Sequence, residues 1–189
     1  MKQDFKLKIY GSDQNVFTLN DLSLLLQEPN RDNLKSKVNY YVNQNVLDSP
    51  RRGIYTKPDY PPEELAVKVY TPTYISFETV LAQAGVIFQY YETIFAASYL
   101  SREIKVEGQN IRYRKIKDEI LTNNKGVDLK PYAKATPERA FLDSLYVYKN
   151  YYFDNLSALD FDKVQKLLPI YNNKQLTKKV NKLKEDFYA

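Results

Sequence analysis

The side chains that most often carry enzymatic chemistry are missing, because the 189 residues include no Cys and no His. That removes thiolate nucleophiles, disulfides, the usual base near neutral pH and the common zinc sites. Carboxylates remain in Asp118-Glu119, in Glu138 with Asp143, and from Asp154 to Asp162. Each set reads more simply as a solvated face or a helix-end charge than as an acid and base pair. A metal-dependent nucleic-acid enzyme would need Asp118, Glu119, Asp128 and Asp143 to converge, and their irregular spacing gives no reason to expect it. Gly108, Gly126 and their neighbouring lysines do not compose a Gly-Lys-Ser/Thr phosphate loop. The chain is therefore expected to be no enzyme, with no catalytic residue, metal or cofactor.

The informative chemistry is cationic. Between residues 30 and 57 stand Arg31, Lys35, Lys37, Arg51, Arg52 and Lys57 against Asp32 and Asp48, six minus two giving +4, within a chain of net charge +5. Arg31, Lys35 and Lys37 suit phosphates or base edges, and Asn33, Asn39 and Asn43 carry the amide that can read adenine. Arg51 and Arg52 precede Gly53, whose missing Cβ allows a sharp turn and close approach to a phosphate or a minor groove. Double-stranded DNA is the partner these residues fit. The alternative is a small structural domain whose lysines solvate one face.

Apolar spacing supplies the elements that must position them. A first helix within residues 1 to 12 turns Phe5, Ile9 and Leu7 inward and stops at Gly11. Thr18 and Asp21 make a variant capping box for a helix reaching about Leu26, before Pro29. A third helix from Arg31 to Asn43 buries Leu34, Val38, Tyr41 and Val42. Val46-Leu47 and Ile54-Tyr55-Thr56 read as strands joined by a turn from Asp48 to Gly53. This order is that of a winged helix-turn-helix over residues 1–57, with Arg31 to Asn43 as recognition helix and Asp48 to Gly53 as wing. Pro58, Pro61 and Pro62 mark a short linker.

The second unit, residues 63–189, changes period. One or two helical turns cover Glu63 to Val69, and a helix capped by Ser76 ends at Gly85. Thr93 to Ala97, Arg102 to Val106 and Ile111 to Ile116 read as strands, with Tyr132 to Ala135 as an added edge strand. Thr136 caps a helix whose first residue is Pro137, and Arg139 and Asp143, four apart, suit a surface ion pair worth roughly 0.2–0.5 kcal/mol. Helices over about Asp160 to Leu168 and Asn173 to Phe187 complete an α+β chain. No stretch approaches the roughly 18 apolar residues of a membrane span, and Met1 to Lys6 leads into no signal-peptide core, so a cytoplasmic location is expected.

Four segments together carry a resemblance: Val16-Phe17-Thr18; Asn45-Val46-Leu47 with Arg51-Arg52-Gly53-Ile54-Tyr55; Tyr74 to Leu81; and Ala135-Thr136-Pro137-Glu138-Arg139-Ala140-Phe141-Leu142-Asp143. Over nearly the whole chain to about residue 150 they resemble the AbiEi family of type IV antitoxins and transcriptional regulators. The resemblance implies a DNA-binding repressor of its own operon, acting on an operator with inverted repeats. It also implies a carboxy-terminal antitoxin-like domain that neutralises a cognate nucleotidyltransferase-like toxin without needing a stable complex. Pro137, Glu138, Arg139 and Asp143 belong to the motif, with mainly structural roles. A different class of function stays open: a protein-interaction or scaffold module that uses exposed tyrosines without specific DNA binding.

Overall fold

The structure is a computed structural model that describes residues 2–188, with side chains described from residue 5 to 187. It is a mixed α+β chain with two sheets and two buried apolar clusters.

Helix α1 (Lys2–Tyr10) buries Phe5 and Ile9, and Phe5 stacks on Tyr41 with ring centroids 3.6 Å apart. Leu7, expected inward, is 69% exposed, because it projects from the side away from the Phe5 and Ile9 line. After strand β1 (Val16–Thr18), α2 (Leu19–Leu26) opens on the expected box: the Asp21 N–H donates to Thr18 Oγ1 and the Thr18 N–H to Asp21 Oδ2. Helix α3 (Arg31–Asn43) is capped by Asn30, whose side chain accepts from the N–H groups of Asp32 and Asn33. Its buried line is Leu34, Val38 and Tyr41.

The hairpin differs from expectation. Val46 and Leu47 are not strand residues but buried plugs, and the Val46 N–H returns to the Tyr41 carbonyl to close the end of α3. Strand β2 is Asp48–Arg51, paired with β3 (Ile54–Thr56), so the turn shrinks to Arg52-Gly53. Pro50 is tolerated because β2 is an edge strand. The sheet order is β1-β3-β2, antiparallel throughout.

Helix α4 (Pro62–Val69) starts inside the proline cluster, with Pro62 supplying its first residue. It lies between the two sheets, against β1 on one side and β4 (Thr73–Ile75) and β5 (Ile94–Ser98) on the other. Val16 and Ile54 of the small sheet accordingly belong to the same buried cluster as Leu65 and Ala66. The joint is polar as well: the Asn15 and Val16 N–H groups and Asn15 Nδ2 donate to the buried Glu64 carboxylate at 2.8, 2.9 and 3.0 Å. Lys68 pairs with Asp21 at 3.0 Å, and Lys57 Nζ donates to the Ser12 carbonyl at 2.7 Å.

The larger sheet runs β6-β7-β5-β4-β9-β8. Its strands β6 (Arg102–Val106) and β7 (Gln109–Lys115) form a hairpin around Glu107-Gly108, and β7 lies parallel to β5. All five residues of β5 are buried, as a strand covered on both faces requires. Strand β9 (Lys134–Ala135), expected at an edge, lies inside: it pairs with β4 and with β8 (Val127–Asp128). Two and three residues are too short for β8 and β4 to show an alternation, which hides them in the sequence.

On the face opposite α4 lie α5 (Phe77–Gln83) and α7 (Pro137–Val147), while α6 (Asp118–Leu121) is a single turn before β8. Eight consecutive residues of α7, Glu138 to Leu145, are buried, which makes it the central helix of this half. Helices α8 (Phe161–Leu167) and α9 (Lys174–Tyr188) cover it, joined through a short 3-10 turn over Leu168–Tyr171.

Candidate nucleic-acid interface

A rotation of 100° per residue sorts the α3 side chains from the buried line outward. Asp32, Ser36, Asn39 and Asn43 occupy the side opposite Leu34 and Val38, Arg31 and Lys35 flank them on one side, and Asn33 and Lys37 on the other. All of these are exposed. The cationic side chains are not equally available, however. Lys37 donates to Glu28 Oε2 at 2.8 Å, and Lys35 sits 3.7 Å from Asp32 Oδ1. The Lys37 ammonium, by hydrogen bonding, holds the Glu28 carboxyl below its ordinary range. Asp32 enters the sequence reading only in the charge balance, and Glu28 not at all. Asp32 carried a local signal in its i,i+3 spacing to Lys35, whereas Glu28 meets Lys37 across the bend at Pro29, which no local period reveals.

At the β2–β3 turn, Gly53 has φ +81 with nothing near its Cβ position, so the turn requires glycine for its backbone and not for space. Arg52 is exposed there, whereas Arg51 is half-buried, its guanidinium over the Tyr70 ring at 5.9 Å. Arg51 thus covers the segment that joins α4 to β4, and among the exposed cations of α3 and the turn Arg31 and Arg52 are those with no ion pair among the described residues.

A second basic stretch runs from Arg102 to Lys117, with six Lys or Arg against Glu103 and Glu107, and its cations also differ in availability. Arg112 pairs with Glu103 and lies over Phe95, and Arg114 lies over Tyr148 at 5.6 Å, while Arg102, Lys105, Lys115 and Lys117 are exposed. Near these arginines Glu78 is buried and its carboxyl is raised by that burial, against the Tyr148 hydroxyl that donates to it and the charge of Arg114 and Arg112.

The Pro137-Glu138-Arg139-Asp143 motif is a correction to the sequence reading. Arg139 and Asp143 do pair, at 3.3 Å, but both side chains are 0% exposed. Arg139 donates from Nε to Asp143, from Nη1 to the carbonyls of Asn123 and Lys125, and from Nη2 to Tyr74 Oη and the Ile120 carbonyl. Asp143 in turn accepts from the hydroxyls of Tyr74, Ser76 and Tyr171 at 3.0, 2.8 and 2.6 Å. Ser76, expected to cap α5 through its side chain, gives its hydroxyl to Asp143 instead. Burial pushes the Asp143 carboxyl up, against the guanidinium and the three hydroxyls. Burial opposes the charge on Arg139 as well, but Asp143 and the two tyrosines hold its pKa above the ordinary value.

This network fastens β4, α6, the turn before β8, α7 and the 3-10 turn to one another, and it is sealed from solvent. Thr136 caps α7 by accepting from the Arg139 N–H at 3.3 Å, Pro137 is its first residue, and Glu138 accepts from the Asp160 N–H at 3.4 Å. Gly126 is required beside it, since φ is +72 and a Cβ would stand 2.9 Å from Leu167 and 3.1 Å from Arg139 Cβ. Among the described residues no group of three or more carboxylates could hold a metal ion, and Asp118, Glu119, Asp128 and Asp143 do not form one. No described helix is long and apolar enough to cross a membrane.

No protein-family model matches the chain, and no curated protein matches it.

Proposed function

We propose that the first 57 residues are a winged helix-turn-helix that binds double-stranded DNA, with α3 as recognition helix and the β2–β3 turn as wing. The observation that carries this reading is the order α1-β1-α2-α3-β2-β3 with β1 closing the small sheet on β3, which leaves the outer side of α3 unpartnered. Asn39, with Ser36 and Asn43, faces outward where base edges would lie, and Arg31, Lys35 and Arg52 flank it as phosphate contacts. Asn33 and Lys37 border the far side, and Arg51 stands between the wing and Tyr70.

In this reading the chain binds and does not catalyse. It represses its own operon at an operator with inverted repeats, and residues 63–189 act as the antitoxin against a nucleotidyltransferase-like toxin. The antitoxin role rests on the AbiEi resemblance, and no stable toxin complex is required by it.

Fluorescence anisotropy with the duplex upstream of the gene tests the DNA reading. Affinity falls steeply with salt, and the Arg31→Ala/Arg52→Ala double variant flattens the salt slope by about 2, near 0.9 for each lost phosphate contact. Lys37→Ala changes it less, because that ammonium already holds Glu28. Absence of binding at low salt, or an unchanged slope in the double variant, overturns the reading. Co-expression of a neighbouring toxin with the whole chain tests the other half: growth is restored by the wild type, and no restoration refutes an antitoxin.

A further inference from the structure

A groove of about 640 Å³ opens between α4, α5 and the loop that joins α5 to β5, within the roughly 300–1,000 Å³ range of ligand clefts. Glu63, Glu78 and Glu92 line it, and among the described residues no Lys or Arg does. The contrast with the chain as a whole, 28 Lys and Arg to 23 Asp and Glu, is pronounced. Lys134 reaches one end only indirectly, through Gln83 Oε1 at 2.6 Å. The carboxylates of Glu63 and Glu92 have no ion pair among the described residues.

Beside these acids the loop holds three aromatic rings in solvent: Phe88 is 73% exposed, Tyr90 86% and Tyr91 38%. The loop is fastened nonetheless. The Phe88 N–H donates to Asp154 Oδ2 at 2.8 Å, Tyr91 meets Phe95 edge to face at 5.5 Å, and the Gln109 amide donates to the Glu92 carbonyl. Tyr91 is accounted for by Phe95 and by its hydroxyl, which donates to Gln89, but Phe88 and Tyr90 make no ring contact among the described residues, and clustered exposed apolar surface marks a contact site.

We propose that this groove docks a Lys/Arg-rich segment of a partner protein, its cationic heads against Glu63 and Glu92 and over the rings of Tyr90 and Tyr91. Ring faces attract ammonium and guanidinium groups, and the alkyl stems of those side chains cover aromatic surface that would otherwise stay in water. A nucleic acid is the wrong occupant, since the unpaired carboxylates of Glu63 and Glu92 face where its phosphates would lie. A small polyamine would meet the carboxylates and leave the rings uncovered. The site shares no residue with the proposed DNA contacts and stands or falls apart from them.

The full-length protein and a short fluorescein-labelled peptide alternating Arg with Leu provide the test by anisotropy titration. The peptide binds, salt weakens the binding, and Glu63→Gln/Glu92→Gln and Phe88→Ala/Tyr90→Ala each reduce affinity about tenfold or more with unchanged circular dichroism. These positions are at least partly exposed, so the variants fold. Unchanged affinity in either variant, or equal binding of the peptide with Asp in place of Arg, overturns the proposal. So does displacement of the peptide by spermine at equal concentration, which would make the ligand a small polycation. Concentration-dependent dimers in sedimentation velocity that vanish in the same variants would replace the partner by a second copy of the chain.

Discussion

Arg139 illustrates how much a single residue can be asked to hold. A guanidinium has five N–H donors in a fixed plane, and here each has an acceptor, one carboxylate, one hydroxyl and three backbone carbonyls. Replacing it by Met leaves Asp143 buried without its counter-charge, and the expected loss in urea unfolding is about 3–5 kcal/mol. Arg139→Lys keeps the charge but cannot reach three separate carbonyls from one point, so it still loses about 1–3 kcal/mol. A Lys variant as stable as the wild type would mean that charge alone, and not the fork of donors, secures the network. The i,i+4 spacing of Arg139 and Asp143 was legible in the sequence; their burial was not, since Tyr74, Ser76 and Tyr171 lie 28 or more residues from Asp143.

Helix α2 shows a local signal confirmed and then extended by its neighbours. The Thr18 and Asp21 box follows from two residue types three apart, and Lys68 of α4 adds an ion pair that no local rule supplies. Partial burial acts to raise the Asp21 carboxyl, but the Thr18 N–H and hydroxyl and the Lys68 ammonium outweigh it, so its pKa lies below the ordinary 3.8. A folded-state pKa below the unfolded one contributes stability that is complete above the unfolded value and is lost as pH falls through the folded value. The melting temperature of the wild type therefore declines as pH drops below about 4, and Asp21→Asn, less stable at pH 7, shows a shallower decline over the same window. Parallel curves for the two proteins would show that Asp21 does not contribute to the acid limb. Thr18→Ala removes the cap itself and costs about 1 kcal/mol.

At the scale of the whole molecule, Glu64 joins the first sheet to the second. Its buried carboxylate takes three N–H donors from Asn15 and Val16, and Leu65 and Ala66 beside it pack with Val16 and Ile54. Glu64→Ala leaves those donors buried without an acceptor, with an expected loss of about 1–3 kcal/mol. Because these residues join the two sheets, near-ultraviolet and far-ultraviolet thermal transitions coincide in the wild type and separate in this variant. Coincident transitions in both proteins would place the coupling elsewhere. The proline cluster at residues 58 to 62, read from composition as a linker, leads into a helix wedged between sheets, so α3 and the turn at Gly53 stand at a fixed distance from the larger sheet.

What the sequence by itself determined is whatever nearest-neighbour physics controls: the caps at Thr18 and Thr136, the α3 stripe of Leu34, Val38 and Tyr41, the β6–β7 hairpin, and the absence of Cys and His. These depend on side chains within a few positions of one another, where spacing and dihedral preference are sufficient. The sequence also marked the cationic set on α3 and the turn, but not that Glu28 occupies Lys37 or that Arg51 turns to Tyr70. Only the tertiary structure decided that β4 and β8 exist, that β9 is interior and that Arg139 and Asp143 are sealed in. Strands of two or three residues and a buried ion pair draw their stability from partners distant in the chain, and an unaligned sequence carries no record of which partners those are.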